Sequence, residues 1–336
     1  MTLVERIHMT GIRRLGGKES GFRYVRAGGG TVTAADRKRI EALKIPPAWR
    51  DAAVHRSPRG AVQAIGKDAA GRWQYLYHPA RSARGEKTKY KRLLRFADAL
   101  PKMRARIAQD LALPGLPREK VLACAVKVLS DCFMRGGSEV YAEEHGSYGL
   151  ATLRRRHVTV SGNLVSFDFP GKSGKRQQRE IRDRRVARIV GELVKGPGYV
   201  FKYKHEGEAW VDIRRRHVNE YIKETMGEAF SAKDFRTWAG TLLCACSLAR
   251  VEADPEQVDT SRKSKIVRAI QETAGMLGNT PAICRASYIS PLVLRGYEKG
   301  RVIDHCFKTV QEVVARRSPR LHQAEKALLR LLRGKA

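Results

Sequence analysis

The chain of 336 residues carries 66 Lys and Arg against 34 Asp and Glu, which gives a formal net charge of +32 at pH 7. Such an excess goes beyond what solubility requires, and it predicts a polyanion such as DNA or RNA as the partner, bound mainly through its phosphates. No apolar run is long enough to span a bilayer, and the N-terminus lacks the apolar core of a signal peptide. We therefore expect a soluble, cytoplasmic protein.

The first part of the chain, residues 1–88, is predicted to form a small β-rich domain. Apolar and polar residues alternate in three short segments, and a loop at 67–71 joins the last two as a hairpin. A basic stretch at 81–95 follows, which we interpret as a hinge between two lobes that grip nucleic acid. Strands are expected at 22–26, 61–66 and 72–77, and a helix at 34–43.

Residues 89–336 are predicted to form a larger, mainly helical domain that contains a small β-hairpin or sheet. One helix is expected to stop just after Arg135, where two glycines follow, and a turn at 170–175 carries Lys172. The two domains together make an α+β protein. Strands are expected at 156–160, 164–169 and 176–181, and helices at 121–135, 183–194, 211–226, 233–249, 264–277 and 281–289, with a basic helix at the C-terminus.

The segment around residue 280 has the signature of a turn between two helices. Gly278 is suited to end one helix, whereas Thr280 as N-cap and Pro281 in the first position predict the start of the next. Asn279 is therefore expected in the turn, and Tyr288 about two turns into the second helix.

Five polar residues of this domain together suit the attack of a phenol on a phosphodiester. Tyr288 is the candidate nucleophile, and Arg135 and Arg236 are candidates to bind the non-bridging oxygens. Lys172 on its turn is a candidate acid for the leaving 5′-oxygen, and Asn279 can add a neutral hydrogen bond. Each residue taken singly has a more common structural explanation, so the hypothesis depends on their combination.

Several motifs in the same order resemble the small type IB DNA topoisomerases of bacteria and poxviruses. The similarity covers nearly the whole chain and includes the β-rich region as well as the five candidate residues. The motifs are KDAAGRWQYLY at 67–77, RGGSEVY at 135–141, YGLATLRRRHV at 148–158, FPGKSGK at 169–175, KDFRT at 233–237 and GNTPAICRASY at 278–288.

The resemblance implies a role for each position of the catalytic set. Tyr288 would form a 3′-phosphotyrosyl link to one strand, Arg135 and Arg236 would bind the scissile phosphate, and Lys172 would protonate the leaving oxygen. Asn279 stands where the poxviral enzymes have a histidine, so it would donate a hydrogen bond without a positive charge.

Other residues would contact the duplex according to the same resemblance. Gln74, Tyr75 and Tyr77 match DNA-contacting residues of the N-terminal domain, and Tyr141 matches one of the catalytic domain. Lys233 is a further candidate for DNA binding and for a proton relay, because Ser173 replaces the aspartate that follows the lysine in poxviral members.

The implied activity is ATP-independent and metal-independent relaxation of supercoiled double-stranded DNA by a monomer that closes as a clamp, associated with the nucleoid and with no membrane partner. No cofactor or metal is expected, since the six cysteines form no CxxC pair and no Walker A motif is present. Two alternatives stay open. A tyrosine recombinase or integrase uses a similar catalytic set, and an architectural DNA-binding protein would need no Tyr288.

Overall fold

The computed structural model describes residues 1–17, 19–69, 71–205, 209–257, 260–307, 312 and 319–334, with only the helical course of 81–87, 89 and 90. The chain divides into two compact units, Met1–Lys89 and Tyr90–Ala336. The fold is α+β, as predicted: the first unit contains an antiparallel sheet and the second is mainly helical.

The N-terminal unit is built on a five-stranded antiparallel sheet with two helices. The elements are α1 (Leu3–Thr10), β1 (Ile12–Gly17), β2 (Gly21–Arg26), α2 (Ala34–Leu43), β3 (Arg50–Val54), β4 (Val62–Lys67) and β5 (Trp73–Tyr77), and the strand order is β2-β1-β3-β4-β5.

Successive residues of β3 contribute to two separate small cores, because side chains alternate between the faces of a strand. Ala53 packs with Ile7 of α1, whereas Val54 packs with Ile40 of α2. The two helices therefore cover opposite faces of the sheet.

Residues of β1 and β3 were not predicted as strands. In β1 the adjacent residues Arg13 and Arg14 hide the alternation expected of a strand. The structure accommodates Arg14 through hydrogen bonds from its guanidinium to the carbonyl oxygens of Pro46 and Trp49.

The second unit surrounds one long helix, in which 17 of the 21 residues are buried. Its helices are α4 (Arg118–Asp131), α5 (Glu139–His145), α6 (Arg184–Leu193), α7 (Arg215–Met226), the central α8 (Ala232–Glu252), α9 (Arg262–Leu277), α10 (Pro281–Ser287), α11 (Pro291–Glu298) and α12 (Gln323–Leu332), and α3 (Pro79–Asp110) precedes them. Strands β6 (Val158–Ser161), β7 (Leu164–Pro170) and β8 (Arg176–Arg182) form one antiparallel sheet, and β9 (Lys202–His205) and β10 (Ala209–Asp212) form another.

Several predicted helix boundaries were wrong, and three of them have a clear cause or bear on the site. The helix expected at 211–226 begins at Arg215, because Ala209–Asp212 pairs with β9 instead. The helix before Arg135 ends at Asp131, because Phe133 has a φ of 53°, which a right-handed helix does not allow. The helix expected at 281–289 ends at Ser287.

Other sequence features have these positions. The stretch 81–95, interpreted as a hinge, lies within α3, and the side chains of 81–87, 89 and 90 lie outside the described residues. Residues 308–311 and 313–318 of the basic C-terminal segment also lie outside them. The six cysteines are free thiols, and all except Cys306 are buried. No helix in the described part of the chain combines the length and the apolar character that a membrane span requires.

Candidate active site

Arg236 is held deep in the second unit by α8. A capping box at Ser231 and Asp234 starts this helix, and the Ser231 N–H donates to the Asp234 carboxylate at 2.9 Å. The Arg236 side chain is only 3% exposed. Its Nη1 donates to the carbonyl oxygen of Phe133 and its Nη2 to that of Leu277 at 2.9 Å, so the guanidinium joins the end of α4 to the end of α9.

Arg135 follows the left-handed residue Phe133, and the chain here runs out of α4 towards the turn after α9. Its carbonyl oxygen accepts from the backbone N–H of Leu150 at 2.9 Å, which anchors the segment. The Nη2 atom of Arg135 donates to Oδ1 of Asn279. Two residues that lie 144 positions apart in the sequence are therefore in direct contact.

The turn that carries Asn279 has the predicted form. Gly278 ends α9 with a φ of 63°, and the Thr280 hydroxyl accepts from the Ile283 N–H as the N-cap of α10. The backbone N–H of Asn279 donates to the carbonyl oxygen of Ala274 at 2.9 Å. These bonds fix the side chain of Asn279 where it accepts from Arg135.

Tyr288 lies at the C-cap of α10, one residue beyond the helix in which it was expected. Its carbonyl oxygen accepts from the Thr241 hydroxyl of α8 at 3.1 Å, and its N–H donates to the Cys284 carbonyl oxygen at 2.9 Å. The Cζ atom of Arg236 lies 5.0 Å from the centre of the Tyr288 ring. The cation therefore covers the face of the half-buried phenol.

The arginines favour ionisation of this phenol. Burial by itself raises the pKa of Tyr288, but the positive charges of Arg236, Arg135 and Lys233 outweigh burial, and the net shift is downwards. The pKa of the Arg236 guanidinium is also lowered, by burial and by the nearby charge of Arg135. Both shifts have the direction that a concentration of positive charge produces.

No carboxylate of the described residues forms an ion pair with Arg135 or Arg236. The site also contains two buried N–H donors, Nε of Arg236 and Nδ2 of Asn279, for which the described part of the chain supplies no acceptor. Buried donors and charges without partners are costly and rare in folded proteins. The arrangement suits an anion with several oxygens.

Lys172 lies apart from this cluster, on an exposed 3₁₀ turn, Lys172–Gly174, between β7 and β8. It makes no hydrogen bond or ion pair with another described side chain. The turn itself is anchored by Gly171, whose N–H donates to the Lys175 carbonyl oxygen at 2.9 Å, and Gly171 lines the same small pocket as Arg135 and Arg236. The structure thus brings four of the five candidates together as two contacting pairs, Arg135 with Asn279 and Arg236 with Tyr288. The fifth, Lys172, follows a glycine that lines the pocket.

The candidate DNA contacts of the N-terminal unit lie on the edge strand β5. Tyr75 and Tyr77 are exposed on one face, with ring centres 6.4 Å apart. Gln74 points to the opposite face and donates to the carboxylate of Asp68 at 2.8 Å. The three residues therefore do not form a single surface of the strand.

The two candidates of the second unit are exposed. Tyr141 is 40% exposed on α5, and its ring lies 5.9 Å from that of His145. Lys233 is exposed in the first turn of α8, three residues before Arg236 and near enough to Tyr288 to lower the pKa of its phenol.

Two residues of β8 belong to the same pocket and were not singled out from the sequence. Gln177 is 7% exposed, and Arg179 has its pKa lowered by burial and by Arg135. A signal for them exists, since both occupy the same alternating positions as buried Ile181, so β8 places an amide and a cation on its inward face.

Comparisons with known proteins identify the family. A family model described as "Eukaryotic DNA topoisomerase I, catalytic core" matches residues 80–299, and one described as "Bacterial DNA topoisomerase IB, N-terminal domain" matches residues 21–68.

Individual relatives agree with these two matches. The DNA topoisomerase 1B of Acanthamoeba polyphaga mimivirus is 34% identical over 274 residues, which cover 80% of this chain and 81% of the relative. The DNA topoisomerase 1B of vaccinia virus (strain Copenhagen) is 22% identical over 276 residues, 80% of this chain and 84% of the relative. The DNA topoisomerase 1 of Drosophila melanogaster is 28% identical over 182 residues, 51% of this chain but only 18% of the relative.

Proposed function

Because the chain belongs to the type IB DNA topoisomerases, and so is an isomerase that acts on DNA, we propose that it relaxes supercoiled duplex DNA through a 3′-phosphotyrosyl intermediate, without ATP or metal. One strand is cut by transesterification, the duplex rotates about the other strand, and the free 5′-hydroxyl group reseals the break.

The observation that carries this proposal is the unpaired character of the site next to Tyr288. Arg135 and Arg236 have no carboxylate partner among the described residues, and Arg236 Nε and Asn279 Nδ2 are buried donors without an acceptor there. A phosphodiester supplies both the missing acceptors and the missing negative charge. Its two non-bridging oxygens accept hydrogen bonds, and its charge offsets the two cations.

The cleavage step assigns one role to each group. The phenolate oxygen of Tyr288 attacks phosphorus, and the bond between phosphorus and the 5′-oxygen breaks. Arg135 and Arg236 bind the non-bridging oxygens, which gain charge in the transition state. Asn279 donates through Nδ2, since its Oδ1 already accepts from Arg135. Lys172 transfers a proton to the leaving 5′-oxygen.

Resealing reverses these transfers, and this explains why no energy source is needed. The phosphotyrosyl bond replaces one phosphodiester bond, so the 5′-hydroxyl oxygen attacks phosphorus and the Tyr288 oxygen leaves. A lowered pKa of Tyr288 helps both directions, because a more stable phenolate is more available for attack and is also a better leaving group.

Contacts away from the reacting phosphate would hold the duplex. The exposed rings of Tyr75, Tyr77 and Tyr141 suit contacts to sugars and bases, and Lys233 suits a phosphate. Gln74 has amide atoms that suit base edges, although its hydrogen bond to the Asp68 carboxylate first has to break. A monomeric clamp around the duplex, located at the nucleoid, stays part of this proposal.

The direct test uses negatively supercoiled plasmid with EDTA and without ATP. We expect a ladder of relaxed topoisomers and, after denaturation, protein linked to a 3′ DNA end. A tyrosine recombinase or an architectural protein would leave the plasmid supercoiled under these conditions. Relaxation that requires ATP or a divalent cation, or protein linked to a 5′ end, would overturn the proposal.

A further inference from the structure

One buried side chain, that of Gln177 in β8, fills the space beside two glycines at once. A β-carbon on Gly171 would lie 2.6 Å from Cγ of Gln177, far inside van der Waals contact. A β-carbon on Gly278 would collide with Oε1 of the same residue. The Gln177 side chain therefore lies directly against the backbone of both positions.

Each of these glycines immediately precedes a residue of the proposed catalytic set. Gly171 precedes Lys172 on the exposed turn between β7 and β8, and Gly278 precedes Asn279 in the turn between α9 and α10. The two turns come from distant parts of the sequence, and Gln177 lies between them.

Hydrogen bonds fix the amide of Gln177 in this position. Its Nε2 is 3.2 Å from the carbonyl oxygens of Lys175 and Arg176, both at the end of the turn that carries Lys172. Its Oε1 accepts from Nη2 of Arg179 at 2.9 Å. That guanidinium nitrogen would lie 3.0 Å from a β-carbon on Gly278, so it too packs against the Asn279 turn.

We propose that Gln177 is a positioning residue that sets the distance between the turn of the proton donor Lys172 and the turn of the phosphate ligand Asn279. The inference rests on the proposed function. Lys172 has no described side-chain partner of its own, so the backbone contacts at Gly171 and Lys175 determine where its ammonium group can reach. A displacement of about 1 Å at a reacting group can cost about 10²-fold in rate.

The first test is Gln177→Ala in single-turnover cleavage of two substrates. One is a normal duplex, and the other has a bridging 5′-phosphorothiolate, whose thiolate leaves without a proton. We expect cleavage of the normal duplex to slow by about 10- to 100-fold. The defect should shrink on the phosphorothiolate, because misplacement of Lys172 no longer matters there.

Gln178→Ala is the matched control, because this neighbour has the same side chain but is exposed on the opposite face of β8. It should cleave both substrates at the wild-type rate. Equal duplex binding by Gln177→Ala and wild type would show that the variant is folded. A Gln177→Ala variant with the same defect on both substrates would contradict the role in positioning Lys172.

A second test uses the close contact itself. Gly171→Ala should slow cleavage, since its new β-carbon meets Cγ of Gln177, and Gly171 has an ordinary negative φ that alanine tolerates. Adding Gln177→Ala removes that Cγ and leaves only the 3.3 Å approach of the new β-carbon to the Lys175 carbonyl oxygen. The double variant should therefore be little slower than Gln177→Ala alone. Multiplied defects would mean that the two residues act independently.

The outcomes separate this inference from the proposed function. Absence of cleavage and relaxation by the wild-type chain would overturn the proposed function, and the inference with it. Wild-type cleavage together with a Gln177→Ala variant that is as fast as wild type would overturn the inference alone.

Discussion

Arg236 and Arg104 are both largely shielded from solvent in the second unit, but their surroundings differ. Arg104 forms a bidentate pair with the fully buried Glu325 at 2.9 and 2.8 Å, and Glu325 also accepts from Trp238 Nε1 at 3.2 Å. Arg236, two residues from Trp238 on the same helix, donates to the carbonyl oxygens of Phe133 and Leu277.

The fold neutralises the charge of Arg104 with a carboxylate, whereas it leaves the charge of Arg236 available to a bound anion. The Arg104 site links α3, α8 and α12 and is complete without a ligand. The Arg236 site joins α4 to α9 through neutral acceptors, so its positive charge and that of Arg135 stay uncompensated within the described residues. An uncompensated buried cation costs stability, and such a cost is typical of a site that binds an anion.

Tyr288→Phe should have the largest effect on activity and almost none on stability. The change removes the nucleophilic oxygen and leaves the backbone contacts of residue 288 to Thr241 and Cys284 intact. Relaxation should be abolished, and duplex binding should stay near the wild-type level in a gel-shift assay. A covalent DNA adduct that maps to another tyrosine would contradict the assignment.

Lys172→Ala should slow cleavage of a normal duplex by about 10²–10⁴-fold, the usual contribution of a general acid. The 5′-phosphorothiolate should restore most of the rate, because its leaving group needs no proton. Stability should be unchanged, since the side chain is exposed and unpaired among the described residues. If Lys172 only binds a phosphate, DNA affinity falls instead and both substrates show the same defect.

Arg236→Ala and Arg135→Ala should each slow cleavage by about 10²–10³-fold or more, as the loss of an oxyanion donor does. Lysine at either position should rescue only part of the rate, since a single ammonium cannot reproduce two parallel hydrogen bonds. The 5′-phosphorothiolate should help little, in contrast to Lys172→Ala. Single-turnover cleavage near the wild-type rate would remove the residue from the site.

Glu325→Ala should have the opposite profile, with a large loss of stability and a small effect on the activity of the folded protein. It leaves Arg104 and Trp238 without their partner, and breaking a buried ion pair in this way costs about 3 kcal/mol or more. Urea unfolding measures the loss. Asp304→Ala is the control, because it removes an exposed carboxylate that pairs with Arg330, a residue on the same helix as Glu325. Loss of this exposed pair should change stability little. Equal midpoints for the two variants would contradict the comparison.

Lys233→Ala should give the smallest effect, a shift of the pH profile of cleavage towards higher pH. The lysine charge contributes to the lowered pKa of Tyr288, so its removal raises that pKa and the phenolate forms at higher pH. Lys263→Ala is the control, since it removes an exposed lysine at the far end of α9 from Gly278. Identical pH profiles for both variants would mean that Lys233 does not act on Tyr288.

Local features of the fold were predictable where short-range chemistry decides them. The helix Ala34–Leu43, the three strands β6, β7 and β8 and the turn from Gly278 to Pro281 follow from capping residues, alternation and turn residues that are adjacent in the sequence. The second half of strand β10, Val211 and Asp212, was mistaken for the start of a helix, because Ala209–Asp212 becomes a strand only through its pairing with β9. Phe133 gives no sequence signal for its positive φ, since this conformation is unusual for an aromatic residue.

By itself, the sequence determined the basic character of the chain, its α+β class, its family motifs and the identities of the five candidate residues, because these depend on composition and on neighbouring residues. The tertiary structure alone decided that Arg135 contacts Asn279 and that Arg236 has no carboxylate partner among the described residues. It also decided that Gln177 lies against Gly171 and Gly278. Those contacts join segments up to 144 residues apart. Only packing around α8 brings them together, and only burial turns unpaired charges and donors into a site for an anion.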